Sequence, residues 1–133
     1  MASAQANGSN GAPRRLLIVD DEEKICRLLS QFFSLRGYEI RTVSRGEEAL
    51  ALATAFHPDV VLLDLLMPGM SGVDTLKELK QLTPVPKVLM LSGADHEEVA
   101  QGALQLGADF YICKPPDLSQ LEHLVNGFHP SPK

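Results

Sequence analysis

The chain has 133 residues, 44% hydrophobic and 22% charged, a composition that fits one globular domain. Twelve Lys and Arg against 17 Asp and Glu leave a net charge of −5, which excludes the basic footprint needed to neutralise nucleic-acid phosphates or an anionic membrane surface. Cys26 and Cys113 lie far apart with no CxxC or Cys/His spacing, so neither a disulfide framework nor a zinc site is expected, and a reducing, cytoplasmic setting fits.

Residues 1–13 are Ala, Ser, Asn, Gln and Gly without an apolar stretch and read as a flexible leader, not an export signal. The longest apolar runs fall far short of the roughly 20 residues that span a bilayer. Leu16 to Val19 is an unbroken apolar run, as expected of a strand covered on both faces. Ile25, Leu28, Leu29, Phe32 and Leu35 then recur at spacings of three and four, predicting a first helix capped by Gly37. Tyr38 to Val43 alternates and reads as an edge strand. Ser44 and Glu47 have the spacing of a capping box for a second helix, with Ala49, Leu50, Ala53 and Phe56 as its stripe and His57-Pro58 as its stop.

Val60 to Leu63 is the third strand. Beyond the turn glycines Gly69 and Gly72, Val73, Leu76, Leu79 and Leu82 form the stripe of a third helix. Val85 to Leu91 reads as strand four, and Val99, Ala103 and Leu106 as a thin helical stripe ending at Gly107. Phe110 to Cys113 is strand five; Pro115-Pro116 stops it, and Leu118, Leu121, Leu124 and Val125 mark a last short helix with Asp117 as its cap. Five βα units make a doubly wound α/β domain over residues 14–127, with 128–133 as a flexible tail.

Ligands of such a sheet sit at the carboxyl ends of its strands. Asp20 and Asp21 end strand one, Asp64 strand three, Ser92 strand four and Lys114 strand five. Three carboxylates crowded at one rim repel each other, which implies a cation, and hard oxygen ligands on a half-open site suit Mg²⁺. A carboxylate can attack phosphorus and form an acyl phosphate when metal and ammonium charge neutralise the transferring oxygens, and a hydroxyl such as Ser92 can bond one of them. An Asp-Asp pair after a strand is by default a helix N-cap, but its coincidence with Asp64 and Lys114 argues against that default. Gly69 and Gly72 lack the surroundings of a nucleotide loop. His96-Glu97 opens an HExxH pattern that fails at Ala100.

The stretches Leu17-Ile18-Val19-Asp20-Asp21-Glu22, Leu62 to Gly72, Leu91-Ser92-Gly93-Ala94 and Gly107 to Pro115, in this order and each at a strand end, resemble the receiver domain of two-component response regulators. The resemblance runs from about Leu16 to Asn126. It implies a flavodoxin-like (βα)5 three-layer sandwich with strand order 2-1-3-4-5. By it Asp64 is the phosphoacceptor, forming a 4-aspartylphosphate, and Asp21 and Asp64 bind Mg²⁺, or Mn²⁺ in its place. Asp20 holds the metal through water, and the backbone carbonyl of Leu66 is a further ligand. Lys114 pairs with the acceptor or its phosphate, Ser92 is the switch hydroxyl, Tyr111 the switch aromatic, and the Lys114-Pro115 bond is cis. Leu66 and Ala94 stand where many family members carry polar side chains that place the hydrolytic water. Pro116 stands where an aromatic residue is frequent.

The implied function is a signalling switch, not an enzyme acting on a separate substrate: a phosphoacceptor that catalyses its own phosphorylation and dephosphorylation. The implied partners are a sensor histidine kinase or phosphotransfer protein, and a downstream protein at the face of the fourth helix, fifth strand and fifth helix, or a second copy in a phosphorylation-dependent homodimer. One helix and a tail follow Lys114, so no DNA-binding or catalytic output domain is expected in this chain. Two other readings compete. A phosphorylation-independent pseudo-receiver docking module predicts loss of an acid, the hydroxyl or the lysine, and a flavodoxin-like flavin carrier needs a phosphate loop after strand one, where Asp20 to Glu23 stand instead.

Overall fold

The computed structural model describes residues 14–66, 71–93 and 97–127. Among them, strands β1 (Arg15–Val19), β2 (Glu39–Val43), β3 (Val60–Asp64), β4 (Lys87–Ser92) and β5 (Phe110–Cys113) alternate with helices α1 (Glu23–Ser34), α2 (Gly46–Phe56), α3 (Gly72–Leu79), α4 (Glu97–Gln105) and α5 (Leu118–Gly127). All pairings are parallel and the order is β2-β1-β3-β4-β5, the flavodoxin-like arrangement. β2 takes the edge, as its mixed pattern predicts.

Side-chain parity along the strands builds two cores. Leu17, Val19, Val61, Leu63, Val88 and Met90 meet Ala49 and Ala53 of α2, Leu76 and Leu79 of α3, and Ala100 and Ala103 of α4. Leu16, Ile18, Val60, Leu62, Leu89, Leu91 and Ile112 meet Leu29 and Phe33 of α1, and Leu121 and Val125 of α5. β1, β3 and β4 carry no alternating polar residue because helices cover both of their faces.

Several local expectations shift. In α1 the row facing the sheet runs through Ile25, Leu29 and Phe33 at spacing four, which leaves Leu28 exposed and places Leu35 just past the helix end, 84% exposed. Ser44 does not cap α2: the N-cap is Arg45, with no side-chain cap bond, because the helix starts one residue later than a Ser44 cap requires. α4 turns Ala100 and Ala103 inward and leaves Val99 and Leu106 exposed, since only small side chains let it lie this close to β4 and β5. β4 starts at Lys87 rather than Val85; Pro84 and Pro86 beside Val85 have no N–H to give a ladder. Gly37 does end α1 in the left-handed region (φ 91°), between the bonds Gly37 N–H to Ser34 O and Tyr38 N–H to Phe33 O. Asp117 does cap α5 through the Gln120 N–H.

Among the described residues, no helix is long and apolar enough to cross a membrane. The leader 1–13, the tail 128–133, Gly69, Ala94 and His96 lie outside the described residues.

Candidate functional site

Parallel pairing delivers the carboxyl ends of β1, β3, β4 and β5 to one rim. Val19 lies opposite Leu63, Asp64 opposite Leu91, and Ser92 opposite Cys113, so Asp20, Asp64, Ser92 and Lys114 each stand at or one residue past a strand end. Oxygens of Asp20, Asp21 and Asp64 lie within 4.8 Å of one another. Asp20 and Asp64 are buried, and Asp21 is exposed on the open side.

Backbone bonds fix both buried acids. The Asp20 N–H donates to Val43 O across to β2 (3.1 Å), and Asp20 Oδ1 accepts the Glu22 N–H (2.8 Å). Neither aspartate caps α1, whose N-cap is Glu22 without a side-chain cap bond. Cys26 Sγ donates to the Asp20 carbonyl (3.2 Å); burial, then the Asp20 charge, pushes its thiol up to about 11, so the thiol stays protonated. Asp64 Oδ1 accepts the Leu66 N–H (3.3 Å), and the Leu65 N–H donates to Leu91 O (2.8 Å). Gly72, the first residue of α3, returns its N–H to Leu65 O (3.1 Å). A Cβ on Gly72 would stand 2.4 Å from both Asp64 O and Leu65 O, so only glycine lets α3 approach the backbone at the end of β3.

The Lys114 N–H donates to Ser92 O (2.7 Å), and the Lys114-Pro115 bond is cis, as expected. Lys114 Nζ donates a hydrogen bond to Glu22 Oε1 (2.7 Å) and lies 2.9 Å from Asp20 Oδ2 and 3.4 Å from Asp64 Oδ1. The Asp20 contact is an ion pair without hydrogen-bond alignment. The Ser92 hydroxyl is buried and has no hydrogen-bond partner among the described residues. A buried hydroxyl is stabilised by a partner oxygen, so Ser92 is suited to bond a ligand at this rim.

Burial, then the charge of Asp20, pushes the Asp64 carboxyl up to about 7; Lys114 and the Leu66 N–H pull the other way and do not cancel them. Burial also disfavours the Lys114 ammonium, yet its bond to Glu22 and the Asp20 carboxylate outweigh that and hold it well above the ordinary lysine value. The donor set is all hard oxygen, crowded, and under-neutralised by one lysine, and it therefore fits a divalent cation.

Tyr111 is half-buried on β5, stacked on Phe110 at 6.4 Å, its hydroxyl donating to Glu97 Oε2 (3.5 Å). Leu66, two residues past Asp64, is 50% exposed. Two contributors were not singled out in the sequence. Glu22 looks like one more acid at a helix start, and Gly72 looks like a turn glycine; only the three-dimensional approach of β5 and of α3 gives them their places.

A profile of the response regulator receiver domain matches residues 16–126. The chain is 41% identical over 114 residues to the regulatory protein AtoC of Escherichia coli, covering 86% of this chain and 25% of that protein. It is 40% identical over 102 residues to the alkaline phosphatase synthesis transcriptional regulatory protein PhoP of Bacillus subtilis, covering 77% and 42%. It thus spans less than half of either relative. Two solved structures are similar: a CheY-like response regulator receiver domain protein from Methanospirillum hungatei (TM-score 0.82, 30% identity, 87% of this chain and 93% of that one), and the receiver domain of NtrX from Brucella abortus (0.79, 33%, 84% and 95%).

Gly72→Ala should destabilise the fold by about 1–3 kcal/mol in urea unfolding, because backbone rather than a mobile side chain must yield. Gly102→Ala, in open space within α4, should stabilise it by about 1 kcal/mol. Equal effects at the two glycines would contradict the tight approach of α3 to Asp64.

Proposed function

The chain belongs to the response regulator receiver domains, and from this we propose that it is a signalling switch that accepts a phosphoryl group on Asp64 from a sensor histidine kinase or a phosphotransfer protein. The observation that carries this reading is a buried carboxylate flanked by two further acids, an ammonium and a buried hydroxyl at one sheet rim. In the transfer an Asp64 oxygen attacks phosphorus, the phosphorus–nitrogen bond to the donor histidine breaks, and the electron pair leaves with the imidazole nitrogen. Lys114 pairs with the transferred oxygens and the Ser92 hydroxyl donates to one of them.

Asp21, Asp64 and the Leu66 carbonyl would hold the cation, with Asp20 acting through water. The division between Asp20 and Asp21 is supported by their surroundings. Asp20 Oδ1 already accepts the Glu22 N–H and Oδ2 faces the Lys114 ammonium, whereas Asp21 is exposed on the open side. Mg²⁺, or Mn²⁺ in its place, supplies positive charge to the phosphoryl oxygens when bound.

Ser92 and Tyr111 link the site to the output face. The exposed Phe110 and Leu104, with half-buried Tyr111 between β5 and α4, offer an apolar surface on the α4, β5, α5 side to a downstream protein or to a second copy of the chain. The domain occupies residues 14–127 and acts in the cytoplasm. The presence of all the acids, the hydroxyl and the lysine speaks against a pseudo-receiver. The crowding of Asp20 and Asp21 at the β1–α1 turn would repel a flavin phosphate.

Acetyl phosphate with Mg²⁺ should add the mass of one phosphoryl group to the intact chain, and neither Asp64→Asn nor a chelated sample should gain it. Modification of the Asp64→Asn variant to the same extent would overturn the assignment.

The lifetime of the phosphorylated state rests on two residues that the family resemblance places beside the water approach. Leu66, and Ala94 outside the described residues, cannot orient a water that attacks phosphorus while the Asp64 carboxylate departs with its electron pair. Decay of the phosphorylated chain with donor removed should be slow, and Leu66→Asn or Ala94→Glu should hasten it about tenfold. Fast decay in the natural chain, unchanged by either substitution, would refute this.

A further inference from the structure

Lys114 faces three carboxylates on unequal terms. Its hydrogen bond goes to Glu22 Oε1 at 2.7 Å, while Asp64, the residue it is to serve, is the most distant of the three at 3.4 Å. Glu22 is the N-cap of α1 and Lys114 follows β5, so their pair joins the two segments beside Asp20. The Glu22 side chain is 56% exposed and that of Lys114 17%. Water can therefore take over Glu22 as the lysine departs, whereas a buried carboxylate would be left unpaired.

We propose that Glu22 is a positioning residue for phosphoryl transfer: it holds the Lys114 ammonium at the rim, and its release of that ammonium is what lets Lys114 reach a phosphoryl group on Asp64. This rests on Asp64 being the acceptor. As the donor's phosphorus–oxygen bond breaks, its electron pair going to the leaving carboxylate of acetyl phosphate, the bond from Asp64 oxygen to phosphorus forms. The oxygens of the transferring group carry more negative charge than Glu22 and draw the ammonium across. Until then Glu22 competes for it.

Glu22 also adds a negative charge near an anionic donor, and reach separates the two effects. Glu22→Gln removes charge and hold together, while Glu22→Asp keeps the charge on a side chain one methylene too short to hold the same bond. With acetyl phosphate and Mg²⁺, both variants should raise the saturating phosphorylation rate about fivefold, the scale of one ion pair near a protein surface. Only Glu22→Gln should also lower the half-saturating donor concentration. Beryllium trifluoride, a phosphoryl mimic bound without turnover, should bind both variants about fivefold more tightly. In a Lys114→Ala background Glu22→Asp should change neither the rate nor that affinity, and Glu22→Gln should keep only the part of its gain that comes from charge.

A wild-type rate and affinity in Glu22→Asp, or a gain from Glu22→Gln that persists undiminished without Lys114, would overturn the proposal. Failure of the acceptor reading looks different: the natural chain itself would gain no phosphoryl group on Asp64, and the proposal would fall with it.

Discussion

Two carboxylates, Asp20 and Asp64, are buried side by side at the end of a sheet whose strands are otherwise apolar, and Lys114 is the ammonium that reaches both. Nothing in the stability of an α/β fold calls for that pairing. Burial, and after it the charge of Asp20, raises the proton affinity of Asp64, which is why its carboxyl rises to about 7 instead of remaining near 4. The sign of the linkage follows. Asp64 favours the folded state most below its ordinary carboxylate value, and that contribution is lost as the pH rises through 7 and the buried charge appears. Positive charge at the rim, from a cation or from Lys114, offsets the loss, so the site is built to attract it.

The rest of the fold keeps these groups from relaxing apart. Parallel register sets Asp64 level with Leu91 and brings Lys114 beside Ser92 through backbone bonds rather than long side chains. Strand parity places one core on each side of the sheet, so neither β1 nor β3 can rotate its terminal aspartate outward without exposing apolar neighbours. Gly72 adds a third restraint by letting α3 close on Asp64 O and Leu65 O. A rigid rim under repulsion, with one lysine shared among three acids, gives a geometry that a phosphoryl group and a cation can complete. The same sharing gives Glu22 its leverage.

Much of this was legible in the residues. Unbroken apolar runs at β1, β3 and β4 disclosed a sheet covered on both faces, and the positions of Asp20, Asp64, Ser92 and Lys114 after such runs put chemistry at one rim before any coordinate was known. What was not legible depends on helix rotation and on contacts between distant segments. The stripe through Val99 and Leu106 has helical spacing, but packing chose Ala100 and Ala103 because α4 lies close to the sheet. Ser44 and Glu47 have the spacing of a capping box, yet α2 starts at Gly46 with Arg45, not Ser44, as its N-cap. Glu22 becomes part of the site only because β5 ends beside the start of α1.

The most direct test is calorimetric titration of Mg²⁺ into the chain at several pH values, in buffers of different ionisation enthalpy, which reads the protons released on binding. With Asp64 near 7, a cation that shares its carboxylate should displace about half a proton at pH 7 and almost none at pH 9, and Asp64→Asn should abolish the release. Binding at pH 7 without proton release, or release that survives in Asp64→Asn, would contradict the claim that cation and acceptor share one crowded acidic rim.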